Sequence, residues 1–463
     1  MSTKSKYKIQ YSTDDRIIAK YILTTTLTNT SPLVIGSGQS DFADLELVRL
    51  PDGEVYIPAS TLAGKIRSYF DEADDHFKFF WGTKSEVNNQ PSKKQYQSHV
   101  NIENAIGIET QKHLAIKDGV KIDYETNTAE KGAKYDYEVL EPGVEFKIQI
   151  EVTVRKAFDK VQMLRLTDFI GTILSSDFRI GAFTMAGFGQ MKCAPVSIRS
   201  FYFDSEGSSD VDTWFDYLTK DTGQGNVEVV ENKIILSRDG ILNLTANFKI
   251  KNALITSTYG TSSHQPDKTQ AYRKNNPEEL VINGKSIRGA LRHRAFKILN
   301  TVYKDDKSVN TVINDLFGYV DQNNNNRAKK SRIRIDEAIL KGVKKYEQAR
   351  IKMDRFTSGT IDGALMTTET VWSNADENLT LNIQLYKYQP QEVTLLLLLL
   401  KDLWSSDLAI GGEKNIGRGV LEGKSAILKI GDQQVSFKQE ADKLNITDEH
   451  ELLLQYNHLP ENL

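Results

Sequence analysis

The chain has 463 residues, is 39% hydrophobic and 26% charged, and sets 59 basic against 62 acidic residues for a formal charge of −3. That is the composition of a globular protein with core enough for two domains, and it argues against a free-standing nucleic-acid binder held by bulk positive charge. No run of about 18 apolar residues exists to cross a membrane, Val393–Leu400 being too short, no signal-peptide pattern opens the chain, and the single Cys193 has no partner for a disulfide or a zinc cluster, so a reducing cytoplasm and no membrane are expected.

Alternating β-branched sequence predicts strands over Ile17 to Val34. A polar loop, Gly36 to Asp44, follows and carries Asp41 and Asp44. Tyr56-Ile57-Pro58 leads into a helix with Ser60 or Thr61 as natural N-cap and Leu62, Ile66 and Tyr69 as its apolar face. Ser60, Gly64 and Arg67, spaced i, i+4, i+7, share another face, with Lys65 beside them. A glycine in mid-helix costs roughly 1 kcal/mol against alanine. Either the helix packs tightly on a sheet there, or a phosphate backbone crosses it, held by arginine and the helix N-terminus. The polar stretch from Asp123 through Thr126 and Thr128 predicts a long loop or hairpin whose aspartate fixes the backbone. A strand over Val144–Val154, a helix over Val161–Leu174 and a glycine loop, Gly181…Gly187-x-Gly189, close this half.

The second half repeats the first. Strands are expected over Ile241 to Ile255, and a loop, Tyr259 to Asp267, carries His264 and Asp267. A helix capped by Ser286 has Ile287 and Leu291 inside and the stripe Lys285, Gly289, Arg292, with Arg288, outside. Asp354…Thr357-Ser358, a strand over Leu379–Tyr386, a helix over Val393–Trp404 and the loop Gly411…Gly417-Arg418-Gly419 complete it. Ser175–Met191 matches Ser405–Leu421 at a separation of 230 residues, Asp123 matches Asp354 at 231, and the Ser60 helix matches the Lys285 helix at 225. Two tandem domains are therefore expected, 1–203 and 239–463, with 204–238 as linker. The order β-α-β…β-α-β makes each an α+β unit with a ferredoxin-like, RNA-recognition-type core and long insertions. Basic residues gather at Lys285–Lys304 and Arg327–Arg334; an isolated cluster reads as a solvated face, but the first lies on a motif present twice, which favours an anionic ligand. Each glycine loop follows a helix, so the strand–loop–helix order of a nucleotide site is absent; polynucleotide backbone contact or a mere turn remains.

These blocks resemble the RAMP superfamily of CRISPR-associated proteins, and more narrowly the backbone subunits of type III (Csm- and Cmr-like) effector complexes, of the III-D or a related type. The resemblance rests on Tyr56-Ile-Pro-Ala-Ser-Thr-Leu-Ala-Gly-Lys-Ile-Arg67, on Ile122–Ala129 and Met353–Gly359, on Trp81-Gly82 and Phe317-Gly318, and on both glycine loops. It implies a subunit that grips CRISPR RNA, receives a single-stranded target RNA, and sits among other type III subunits. RNA contacts are implied for Ser60, Gly64, Lys65, Arg67, Lys285, Arg288, Gly289 and Arg292, for Gly187, Gly189, Gly417, Arg418 and Gly419, and for Thr126, Thr128, Thr357 and Ser358 on thumb-like hairpins. It also implies metal-dependent cleavage of the target at an aspartate in the loop before the basic helix. Asp44 fits that position, with Asp41 its local rival; Asp267 is the counterpart, two residues differently spaced. A divalent ion, Mg or Mn, would bind at Asp44 mainly together with RNA.

Overall fold

The first strand, β1 (Ile17–Asn29), buries Ala19, Tyr21, Leu23 and Leu27, positions that share one face of an extended chain. The structure is a computed structural model and describes residues 16–38, 44–70, 80–82, 97–126, 128–156, 158–204, 210–220, 226–230, 240–259, 266–320, 328–456 and 459. After β1 come α1 (Ala59–Arg67), the hairpin strands β2 (Leu114–Ile122) and β3 (Ala129–Leu140), then β4 (Glu145–Arg155), α2 (Lys160–Ser175), β5 (Gln190–Cys193) and β6 (Val196–Tyr202). Strand β1 pairs antiparallel with β4 on one side, and on the other with β6 through Ala19–Thr24 and β5 through Leu27–Asn29. The short strand Val100–Ile102 lies outside β4. Helix α2 packs on β1 and β4, burying Ile170, Ile173 and Leu174.

The stretch 204–238, expected as linker, carries α3 (Val211–Lys220) and β7 (Asn226–Val230), and β7 pairs with β6 as a further strand of the first sheet. Trp214 of α3 meets Phe201 at 5.1 Å between ring centroids, so aromatic packing folds this segment onto the domain.

The second domain repeats the plan with β8 (Ile241–Ile250), α4 (Gly284–Tyr303), α5 (Asp306–Phe317), β9 (Ile333–Ile335), hairpin strands β10 (Val343–Arg350) and β11 (Met366–Ser373), β12 (Leu379–Tyr386), α6 (Pro390–Trp404), β13 (Leu421–Ile430), β14 (Gln433–Glu440) and β15 (Lys443–Thr447). Its antiparallel sheet runs β9-β12-β8-β13-β14-β15. In both sheets the first strand lies between the strands that flank one helix, β4 and β5–β6 around α2 in the first domain and β12 and β13 around α6 in the second. The protein is a mixed α+β chain with two separate hydrophobic cores.

The helix starts differ from expectation by two or three residues. Helix α1 begins after Pro58, and the Ala59 N–H donates to Asn104 Oδ1 at 2.8 Å. Helix α4 begins after Asn283, whose Oδ1 accepts from the Lys285 N–H at 2.9 Å. Proline pre-sets the dihedral of a helix entry and asparagine is a strong N-cap, so the serines are not needed as caps. The matched Gly189 and Gly419 serve the fold. Each has a left-handed φ, +70° and +77°, and a Cβ there would run into the carbonyl of Ile180 or Ile410.

Candidate nucleic-acid interface and carboxylate sites

The two hairpin tips have the same local build. Asp123 Oδ1 accepts from the N–H groups of Glu125 (2.7 Å) and Thr126 (2.9 Å), and the Asp123 N–H donates to Thr128 O at 2.9 Å. Asp354 Oδ1 likewise accepts from Phe356 (2.9 Å) and Thr357 (2.8 Å), and its N–H donates to Gly359 O at 2.9 Å. Ser358 takes a left-handed φ of +54°. The N–H groups of Thr126 and Thr357 are the largest cause holding each carboxyl below its ordinary range. The aspartates thus fix turns, as expected for a structural role. Thr126 and Thr128 bond to each other through their hydroxyls at 2.8 Å.

The loop carboxylates occupy matching seats. Asp44 is exposed, and its Oδ2 accepts from the Asp136 N–H on β3 at 3.0 Å. Asp267 is exposed, and its Oδ2 accepts from the Thr367 N–H on β11 at 2.7 Å. Asp136 and Thr367 are separated by the same 231 residues as the hairpin tips. The neighbouring residues bridge the same strand pair in parallel, Leu45 to Tyr137 and Lys268 to Thr368. The surroundings differ in charge. Asp118 faces Asp136 across the first hairpin, and their hydrogen bond, with burial and the charges of Asp118 and Asp44, pushes the Asp136 carboxyl up. At the second seat Ala349 faces Thr367, and the Thr367 hydroxyl donates to Asp267 Oδ2 at 3.2 Å. Among the described residues no group of three or more His, Cys, Asp or Glu side chains is arranged to hold a metal ion. Asp41 and His264 lie outside the described residues.

The helix stripes resolve one open alternative. Gly64 and Gly289 are exposed, and nothing lies within 4 Å of where a Cβ would stand on either. Close packing within the chain is therefore not what these glycines serve. Ser60 is exposed beside Gly64, Lys65 lies over the Tyr69 ring at 5.0 Å, and Arg67 is half-buried.

The basic side chains of the second stripe are engaged inside the protein. Lys285 Nζ sits among rings of the first domain, 3.3 Å from the Phe183 centroid and 3.6 Å from that of Tyr137, and has no hydrogen-bond partner. Burial pushes its ammonium down to about 7, and the charge of Lys117 acts in the same direction; the ring faces oppose this by attracting a cation. Arg292 donates to Gly318 O (3.2 Å) and Asn314 Oδ1 (2.8 Å) and stacks over Tyr124 at 4.3 Å. Arg288 donates to Phe317 O, and burial, then Arg292, lowers it to about 10. Tyr124, at the first hairpin tip, also bonds Asn310 through its hydroxyl and His293 through its carbonyl. The first hairpin thus docks on α4 and α5 and covers part of the expected RNA stripe. The second hairpin tip stays open, with Phe356 98% exposed.

Replacing Lys285 with Met should raise the thermal midpoint near pH 7, with a gain that shrinks toward pH 10. The folded-state value lies below the ordinary 10.5. Between about 7 and 10.5 the unfolded chain therefore binds more protons, and wild-type stability rises with pH there. Midpoints of the two proteins that run parallel across this range would show that burial does not hold the lysine neutral.

The glycine loops hold their own N–H groups. Gly189 donates to Pro32 O at 2.8 Å, Gly419 to Ala253 O at 2.7 Å, and Gly187 and Gly417 to Thr184 and Lys414 carbonyls. Of the two readings the sequence left open for these loops, backbone contact with a polynucleotide or a turn, the occupied N–H groups belong to the turn. Arg418 is 5% exposed and pairs with Glu413 and Gln348. The second basic cluster is divided: Arg332 pairs with Glu392 and Arg334 with Asp177, while Lys329 pairs with Asp315 at the surface and Lys330 is exposed; Arg327 lies outside the described residues.

Sequence reasoning missed the junction between the domains. Arg273, 5% exposed, pairs with Glu141 of the first domain (3.1 Å) and with Glu279 (3.1 Å) and Glu337 of its own. Lys117 reaches the other oxygen of Glu141 at 2.9 Å. A second cluster joins Arg179 to Asp177 (3.2 Å) and Asp336 (3.1 Å), and Arg334 to Asp177 (2.7 Å). Burial acts to raise the Asp177 carboxyl, but Arg334 and Arg179 hold it low. The sequence signal here was that Asp177 lies in the matched run Ser175–Met191.

The model of the RAMP superfamily matches residues 26–192 and 252–422, one segment in each domain. No curated protein matches the chain. No helix among the described residues is long and apolar enough to cross a membrane.

Proposed function

The chain belongs to the RAMP superfamily, whose members work in CRISPR RNA–protein complexes, and on that premise we propose that it is a backbone subunit of a type III effector complex. Two ferredoxin-like domains in tandem bind CRISPR RNA, admit a single-stranded target RNA, and cut it at Asp44 and Asp267. Other type III subunits surround it in the cytoplasm. The RNA is read by shape and backbone, with base pairing supplying the sequence.

The observation that carries RNA binding is the bare pair of mid-helix glycines. Each lowers helix stability, neither is packed by its own chain, and each lies one turn before an arginine. A phosphate backbone crossing at that point accounts for both. Gly64→Ala and Gly289→Ala should each stabilise the free protein by up to about 1 kcal/mol in thermal denaturation and weaken RNA binding at fixed salt. Unchanged affinity in two stabilised variants would remove the helices from the RNA path.

For cutting, the support is the shared seat of Asp44 and Asp267 beside equivalent hairpin strands. Magnesium-class ions bind through one or two carboxylates plus substrate phosphates and keep several waters. Single exposed carboxylates with RNA alongside fit that pattern, and a bound ion would offset charge on the reacting phosphate. Asp44 and Asp267 would hold the ion or orient a ribose 2′-hydroxyl. A purely RNA-binding subunit is the second reading, favoured by the lack of a ready cation group among the described residues. Metal-independent guide processing finds less support, because no histidine recurs at matched positions of the two repeats.

A further inference from the structure

In the second domain β13 turns directly into β14 through Gly431 and Asp432. Between the matching strands of the first domain, β6 and β7, the chain inserts α3. Both sheets gain the extra strand, so the fold does not need the helix to place it. The insertion also lies outside both segments that match the family model.

At about 100° per residue, the apolar residues of α3 cover an arc of about 160°. The fold uses half of it. Trp214 and Tyr217 pack on Phe201 with ring centroids 5.1 Å and 5.6 Å away, and Lys20 and Arg199 lie over their rings at 4.4 Å and 4.9 Å. The other half, Val211, Phe215 and Leu218, is spaced i, i+4, i+7 and stays 39%, 59% and 57% exposed. Asp212 and Asp216, both exposed, border this stripe on its solvent side. The surrounding sequence has one sign of charge. Residues 204–238 hold eight acidic and three basic side chains, a charge of −5 in a chain whose total is −3, so the remainder is positive.

We propose that the outer stripe of α3 is a docking surface for a protein segment whose apolar helical face is edged by lysine or arginine. The proposal is independent of RNA binding and of RNA cutting. Contiguous apolar surface with a polar rim marks an interaction site, and the acidic rim selects the occupant. RNA would bring phosphates to carboxylates, and an anionic lipid surface would do the same. A second copy docked stripe to stripe would set Asp212 and Asp216 against their own duplicates, because a two-fold contact pairs each patch with itself. A basic amphipathic helix matches the stripe in shape and the rim in charge.

The test uses the full chain and a labelled synthetic helix of about 18 residues, five turns, with leucine at i, i+3, i+4 and i+7 and lysine beside them. A twin peptide carries glutamate for lysine. By fluorescence anisotropy the lysine peptide should bind at least about tenfold more tightly than its twin, a gap that narrows as salt is raised. Phe215→Ser with Leu218→Ser, and separately Asp212→Lys with Asp216→Lys, should each weaken the lysine peptide at least about tenfold. The serine pair should leave the thermal midpoint unchanged. Equal binding of the two peptides, binding unaltered by either variant, or a midpoint lowered by the serine pair, which would place the stripe inside the fold, overturns the proposal. In the complex co-expressed with its genomic neighbours, a photo-crosslinking residue at position 215 should attach to a lysine- or arginine-edged apolar segment of another protein. Crosslinks only to RNA, to a second copy, to this chain's own residues or to no protein also overturn it.

Discussion

A complex carrying Asp44→Asn together with Asp267→Asn is expected to retain guide and target RNA and to lose target cutting by roughly 10²–10⁴-fold, the range typical of removing a positioned acid–base group. Asparagine keeps an oxygen to accept from the Asp136 or Thr367 N–H, so the seat survives and only charge is lost. Each single variant should abolish one cut position and leave the other, because the two seats are equivalent in geometry. They are not equivalent in charge. Asp118 and Asp136 add carboxylates beside Asp44, whereas Ala349 and Thr367 stand beside Asp267. The cut assigned to Asp44 should therefore persist to lower divalent-ion concentration than the cut assigned to Asp267. A metal titration with the products resolved by length reads both points. Cutting at every position by the double variant would remove these aspartates from the chemistry and leave an RNA-binding subunit.

The doubled organisation was legible in the sequence because the recurring glycines and aspartates have backbone jobs that tolerate no substitute. Gly189 and Gly419 press on carbonyls in left-handed conformations, and Asp123 and Asp354 each collect two N–H groups. Equivalence of Asp44 and Asp267 was harder to read. Measured back from the helix glycine the two lie 20 and 22 residues away, which makes Asp267 look displaced. The seat is set instead by the hairpin strand, through the Leu45–Tyr137 and Lys268–Thr368 bridges, and strand pairing absorbs a change in loop length farther along. The basic stripe misled for a different reason. Spacing shows that Lys285 and Arg292 share a helix face with Gly289, but the cover over that face comes from Tyr124, Tyr137 and Phe183, more than 100 residues earlier. Local pattern carries no record of a contact at that separation.

The same separation conceals Arg273, whose ion pair with Glu141 crosses between the domains. Arg273→Ala is expected to destabilise the full chain by about 3–5 kcal/mol, the cost of leaving buried partners of an ion pair uncompensated, and to lower the thermal midpoint by on the order of 10 °C. Glu141 and Glu337 are both almost fully buried, at 0% and 4% side-chain exposure. Lys117 still neutralises Glu141 at 2.9 Å, so the unpaired charge falls chiefly on Glu337. Burial already pushes the Glu337 carboxyl up, and Arg273 is the largest influence holding it down. Without the guanidinium the folded state binds that proton more tightly than the unfolded chain does. Stability then rises as pH falls through the folded-state value, so the variant should recover part of its loss between pH 7 and pH 5. Adding Glu337→Gln should restore much of the stability at neutral pH and flatten that dependence, because the uncharged amide no longer carries the desolvation cost. A loss that is flat with pH and not relieved by Glu337→Gln would mean that Arg273 acts through packing volume rather than charge.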